Sequence, residues 1–250
     1  MKLIKGVNVG EVILVASGKG GTGKSMVTVN LGTVLSRKGY RVVLVDMDMG
    51  QGCLDLYLGL QDRVVYNVFD AACGMCRIKQ AVIKDGRFDC LHLVAAPPHR
   101  NDGSITGESI RRVYRKLARD YDYIIVDGPA GVDDNLLLAA SGADKAVIVA
   151  TPDYASVRGA DTLDMVLRRE GIEEIWCVLN MIKKGLMDLG GCLSFEEIGR
   201  LLRTRVVGVI PYDEIICASL NLGIPAAIDE NGIFVENFTK IAGRIVRKPL

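Results

Sequence analysis

The chain has 250 residues, enough for one large α/β domain with a well-buried core. Charged residues make up 24% and hydrophobic residues 49%, an ordinary globular balance, and a formal net charge of +1 gives no whole-molecule pull towards a polyanion. No apolar run reaches the roughly 18 residues of a membrane-spanning helix, and Met1-Lys-Leu-Ile-Lys-Gly6 breaks off too early for a signal peptide, so a cytoplasmic protein is expected.

Short β-branched runs alternate with helical patterns along the whole chain. The first run, Val12-Ile-Leu-Val-Ala16, is apolar throughout, as a central parallel strand covered on both faces should be. Gly18, Lys19, Gly20, Gly21, Thr22, Gly23, Lys24 and Ser25 follow it and fit the phosphate-loop template G-x-x-x-x-G-K-[ST]. The glycines let backbone N–H groups converge on phosphate oxygens, and the helix that follows adds its positive N-terminal end. That helix is expected near 24–38, from Val27, Asn30, Leu31, Val34 and Leu35, and Met26 in its first turn joins the loop as a nucleotide contact. Lys24 is placed to reach the β- and γ-phosphates and the Ser25 hydroxyl to bind Mg²⁺. Lys19 is one lysine more than such a loop requires.

The second strand, 41–46, ends in Asp46-Met-Asp48-Met-Gly50. Period-two spacing puts both carboxylates on one face if the strand continues, which suits Asp46 to the magnesium site and Asp48 to orienting the attacking water. A solvated loop carboxylate is the competing reading of Asp48. Seven irregularly spaced cysteines include a single C-x-x-C, Cys73-Gly-Met-Cys76, with no second pair for a zinc site within the chain, though a site shared across a dimer needs only two from each subunit. His92, in the strand 91–95, and His99, after Pro97-Pro98, have no ligand-spaced partner and read as core or turn residues. The helix near 105–119 sets Arg112, Arg115, Lys116 and Arg119 opposite Ile110, Val113 and Leu117, a stripe that is either a solvated face or a phosphate track. The strand 123–127 ends at Asp127, a carboxylate placed to hold the magnesium water shell, followed by a Gly-Pro-Ala-Gly131 loop expected to move.

Further helices are expected near 133–141, 155–169, 194–202 and 231–246, and strands at 145–150, 175–180 and 206–211. Repeated strand–helix–strand order with no linker and no internal repeat implies a single P-loop NTPase domain over 1–250. Its fold is α/β, one doubly wound, mostly parallel sheet flanked by helices. Ligands bind such sheets at the carboxyl ends of the strands, where these polar elements cluster. In the last helix Phe234, Phe238, Ile241 and Ile245 form the stripe of a helix packed on the sheet. An interfacial helix carrying Lys240, Arg244, Arg247 and Lys248 competes for the same face.

Lys19-Gly-Gly-Thr-Gly-Lys-Ser25 resembles the deviant Walker A loop of the MinD/ParA family of ATPases. Asp46–Leu56 and Asp127–Gly131 are similar to the family's two switch segments. Residues 151–161, 207–213 and 218–225 extend the resemblance over nearly the whole chain. It implies ATP and ADP as ligands, Mg²⁺ as cofactor and hydrolysis that is slow without a partner protein. It implies an ATP-dependent homodimer in which Lys19 reaches the partner subunit's nucleotide, and regulatory protein partners. It also implies a role in placing the division septum. Asn180, Pro211 and Asp213 would frame the adenine; without the resemblance Asn180 reads as a polar strand cap. DNA is not an expected partner. Contact with the inner face of the membrane is an open alternative, but weak binding or none is expected, since the amphipathic helix that usually ends such proteins does not follow Arg247–Leu250. DNA-partitioning, flagellar-number and metallocentre-maturation or iron-protein relatives carry related loops and remain the alternatives.

Overall fold

The fold is that of a computed structural model describing residues 9–98, 103–229 and 232–246. The described chain runs β1 (Glu11–Ser17), α1 (Lys24–Arg37), β2 (Val42–Asp46), α2 (Leu54–Tyr57), α3 (Val68–Cys73), α4 (Ile78–Ala81), β3 (Ile83–Lys84) and β4 (Leu91–Val94). It continues α5 (Gly107–Leu117), β5 (Tyr123–Ala130), α6 (Asp134–Ala140), β6 (Lys145–Ala150), α7 (Tyr154–Arg169), β7 (Glu174–Ile182), α8 (Lys184–Asp188), α9 (Phe195–Leu201), β8 (Arg205–Pro211), α10 (Glu214–Asn221) and α11 (Ile233–Ile245). The strands form one sheet in the order β3-β4-β2-β5-β1-β6-β7-β8. All neighbours are parallel except β3, which pairs antiparallel with β4 at the edge.

The seven expected strands are all present, and their apolar composition has the anticipated cause. β1, β2 and β6 are buried almost throughout, with one apolar cluster on each side of the sheet. α1 lies almost wholly inside, between the sheet and α11. Its buried Thr28, Asn30 and Thr33 return hydrogen bonds to carbonyls one turn back, which makes their burial tolerable. The stripe of α11 is buried, with Phe238 and Ile241 fully enclosed. That face is therefore covered by the sheet and α1, and the interfacial alternative fails for this helix. At about 25 cal/mol per Å², enclosing a phenylalanine contributes roughly 2–3 kcal/mol.

Several expectations need correction. β2 stops at Asp46, so Asp46 and Asp48 do not share a strand face; Asp48 sits in the turn beyond. β5 does not end at Asp127 but pairs on through Ala130, so the free loop starts at Gly131. The segment between β2 and β4 holds three helices of four to six residues and the short β3, none of them marked by hydrophobic periodicity, because helices of that length hardly complete one 3.6-residue period. α3 still carries local signals: Asn67 and Asp70 form a capping box, and Gly74 closes the helix in the left-handed conformation. The basic stripe of α5 is solvent-exposed, partly paired by Arg111–Glu108 and Arg115–Glu108 contacts. His92 lies in β4, its ring edge-on to Tyr121. His99 and Arg247–Leu250 lie outside the described residues.

Candidate active site

Five strands deliver their carboxyl ends to one edge, and a cavity of about 450 Å³ opens there. Its wall includes Ser17, Gly20 to Met26, Asp48, Gln51 and Tyr57 on one side. Ala130, Asn180, Met181, Pro211, Tyr212, Asp213, Ile216, Cys217, Leu220 and Asn221 complete it. The phosphate loop and the Asn180/Pro211–Asp213 group thus line the same space, although they are far apart in sequence.

The loop is shaped by close backbone approach. Gly23 adopts φ +85°, and a β-carbon there would stand 2.2 Å from Asn180 Nδ2. Asn180 itself, buried in β7, donates to the Thr22 carbonyl at 2.8 Å. The amide nitrogen can only donate, so this bond fixes the side-chain orientation and leaves Oδ1 as the acceptor. Gly18 packs on Gly159 of α7, with no room for a β-carbon on either.

Charge is concentrated beneath the loop. The Lys24 ammonium, 7% exposed, lies 3.1 Å from Asp127 Oδ1 and 3.2 Å from Asp48 Oδ2. Asp127 is fully buried and also accepts from Thr28 Oγ1 at 3.1 Å. Its neighbour in register on β2 is Asp46, so two buried carboxylates stand side by side. Asp46 Oδ1 accepts the Asp48 amide and Oδ2 the amides of Cys53 and Leu54, at 3.0 Å each. This carboxylate therefore anchors the turn after β2 while loading the site with charge.

The titration shifts follow from that crowding. Desolvation, then repulsion from Asp127, pushes Asp46 up to about 7. Desolvation likewise raises Asp127, against the pull of Lys24 and hydrogen bonds from Ser25, Lys24 and Thr28. Burial opposes the Lys24 charge, yet Asp127 and Asp48 hold the ammonium above its ordinary range. Cys53, half-buried next to Ser25 and Tyr57, is driven up to about 11 chiefly by desolvation, so it is a neutral thiol.

One acceptor stands out. Among the described residues Asp127 Oδ2 is buried with no hydrogen-bond partner, although such atoms are nearly always paired. It belongs to a group of three carboxylates, Asp46, Asp48 and Asp127, facing one lysine. Among the described residues no three of these side chains converge on one metal position, but the Ser25 hydroxyl and Asp127 are oxygen donors of the kind a hard dication takes and would hold magnesium, with Asp46 beside Asp127. Bound there, magnesium would neutralise the developing phosphate charge.

Lys19 is placed differently. It stands half-exposed on the rim, its ammonium 3.2 Å from Asp153 Oδ1. Asp153 also caps α7 by accepting the Ser156 amide, and it takes a bond from Thr151. Desolvation is the largest single influence and raises its carboxyl, but the bonds from Thr151, the Ser156 amide and Lys19, with the Lys19 charge, together hold it below the usual range. Asp213 spends one oxygen on the Ile215 amide, capping α10. Sequence reasoning missed Thr28, Tyr57, Met181, Tyr212 and Asp153. Thr28 sits one helical turn after Lys24 and Tyr212 lies between two expected residues, so spacing pointed to both; nothing comparable marked Tyr57. Cys73 and Cys76 do not line the cavity.

Comparison with known proteins bears on this geometry. A family model described as "ParA: NUBPL iron-transfer P-loop NTPase" matches residues 8–246. The septum site-determining protein MinD of Bacillus subtilis is 38% identical over 239 residues, 95% of this chain and 89% of that protein. A putative septum site-determining protein MinD of Guillardia theta is also 38% identical, over 88% of this chain and 82% of its own length. Among solved structures, a MinC:MinD cell division protein complex from Aquifex aeolicus superposes with a TM-score of 0.87 at 34% identity, covering 96% of this chain and 98% of that one. MinD from Pyrococcus horikoshii, complexed with Mg-ADP, gives 0.83 at 26% identity over 95% and 96%.

Proposed function

The chain belongs to the ParA family of P-loop NTPases and is an ATPase of the MinD type that uses ATP, ADP and Mg²⁺, and from that premise we propose that it is a dimerising nucleotide switch in the placement of the division site. The observation that carries the switch reading is the separation of the two loop lysines. Lys24 is buried at its own site, and Lys19 is half-exposed on the rim, held by a single half-exposed carboxylate. A surface pair of this kind is worth at most about 1 kcal/mol, so Lys19 is cheaply released towards a second subunit's phosphates.

In this reading the loop amides and the N-terminus of α1 bind the phosphates, and Lys24 leaves Asp48 to follow the γ-phosphate. Asp48, freed, orients and accepts a proton from the attacking water. Asp127 and Ser25 would hold Mg²⁺ when it is bound. Asn180 Oδ1 can accept from the adenine amine, beside Pro211 and Asp213, which supports adenine over a base presenting a carbonyl there. Loss of the γ-phosphate returns Lys24 to Asp48 and opens the dimer. The switch would act in the cytoplasm and be read by a regulatory protein, as MinC is held in the Aquifex complex.

The test is Lys19→Ala. Light scattering should give a monomer with both MgADP and MgATP, with ADP affinity retained and turnover reduced to background. A variant that still dimerises with ATP and hydrolyses it at the wild-type rate would remove the switch reading.

A further inference from the structure

We propose that Met181 is a nucleotide-positioning residue, kept in a strained backbone conformation so that its side chain forms the cavity wall against the phosphate loop. The inference rests on the nucleotide reading of the cavity and adds to it a residue and a reason for its geometry.

Met181 has φ +58°, and every other described residue with a positive φ is a glycine. For a long side chain this left-handed conformation is a steric cost that persists only where surrounding structure enforces it. The β7–β8 ladder identifies the enforcement. Leu179 stands opposite Val209 and Ile182 opposite Pro211, so Asn180 and Met181 together oppose Ile210 alone. This is a bulge of two residues against one.

The consequence concerns direction. In a regular strand consecutive side chains point to opposite faces, so only one of Asn180 and Met181 would meet the cavity. Here both line it. Asn180 bonds the Thr22 carbonyl, and the Met181 Cε lies 3.6 Å from where a Gly23 β-carbon would stand. The bulge thus supplies the strap under the phosphate loop and an apolar wall beside it from two successive residues. Glycine would take the same turn without strain and is the residue used at the other left-handed positions. Met181 is also only partly buried, so core packing does not account for its retention. A polarizable thioether that lines the same cavity as Tyr212 and Ile216 is suited to the flat face of a base.

The experiment compares wild type, Met181→Gly and Met181→Leu. ADP binding is measured by calorimetry with Mg²⁺, and thermal unfolding is measured without nucleotide. Met181→Gly should unfold no lower than wild type, because strain leaves with the side chain, while ADP binds about three- to tenfold more weakly. Met181→Leu keeps an apolar side chain of similar volume and should recover most of the affinity. A glycine variant that binds ADP like wild type, or that unfolds at lower temperature, overturns the proposal. So does a leucine variant that binds no better than glycine. Failure of the wild type itself to bind ADP would strike the nucleotide reading instead, and it is read before any substitution is made.

Discussion

Two lysines are buried at opposite ends of the same sheet, and they are not equivalent. At the amino end Lys145 begins β6, 2% exposed, 3.1 Å from Glu11 and 3.5 Å from Glu174, which head the flanking strands β1 and β7. It also donates to the Ile245 carbonyl and lies over the Trp176 ring. Its donors are satisfied, and both carboxylates remain partly in water. At the carboxyl end Lys24 faces three carboxylates, two of them wholly buried and adjacent in register, with one oxygen unpartnered among the described residues. A buried ion pair by itself is therefore no mark of function here. The mark is imbalance: excess negative charge, displaced titration and an orphaned acceptor beside a loop of convergent amides.

Substituting the lysines separately should break the comparison most sharply. Lys24→Ala should reduce ATP turnover by about 10³-fold and abolish measurable nucleotide affinity, since it removes the cation from beneath the phosphates. Steady-state phosphate release and ADP calorimetry check this. Next in size, Asp48→Ala should bind MgATP with near wild-type affinity but hydrolyse it about a hundredfold more slowly, accumulating dimer on size-exclusion chromatography with ATP. A monomeric Asp48→Ala protein would show that this carboxylate only parks Lys24. Lys145→Met should do the opposite of both. It strands two like charges and a carbonyl, costing about 2 kcal/mol of stability in urea unfolding because the carboxylates are partly solvated, with turnover per folded molecule unchanged.

The two ends were also unequally legible in the sequence. The carboxyl-end site announces itself through short-range spacing: Gly18–Ser25 after an apolar strand, Asp46 at a strand end and Asp127 at the close of an apolar run. Those are local rules, and they survive folding. What stayed hidden depends on tertiary pairing. That Asp46 and Asp127 are neighbours requires knowing that β5 inserts between β1 and β2. The extension of β5 through Gly128-Pro129 runs against the turn signal of that dipeptide, because pairing with β1 overrides propensity. Met181 gives no sequence signal at all; its bulge exists only in the β7–β8 register. Lys145 reads as an unremarkable strand start, and its partners are 134 and 29 residues away, as 145 − 11 and 174 − 145.

The smallest effect is the most diagnostic of imbalance, and it concerns pH. The Asp46 carboxyl titrates near 7 in the folded protein because it is desolvated beside Asp127, while in the unfolded chain it returns to the ordinary carboxylate range near 4. Between those values the folded state holds a proton that the unfolded state has lost. Folding stability from this group is therefore fully present below about pH 4 and declines as pH rises towards 7. The nucleotide-free protein should melt lower at pH 8 than at pH 5, and Asp46→Asn should flatten the slope. His92, lowered by burial, acts in the opposite direction but is common to both proteins, so the difference between them reports the buried Asp46–Asp127 pair. Magnesium with ADP favours the ionised carboxylates, so the rise in melting temperature it produces should be larger at pH 8 than at pH 6. Lys145→Met should leave that slope as steep as in wild type, since nothing at the amino end alters the Asp46–Asp127 pair. A slope that vanishes in Lys145→Met and persists in Asp46→Asn would reverse the assignment of the two ends.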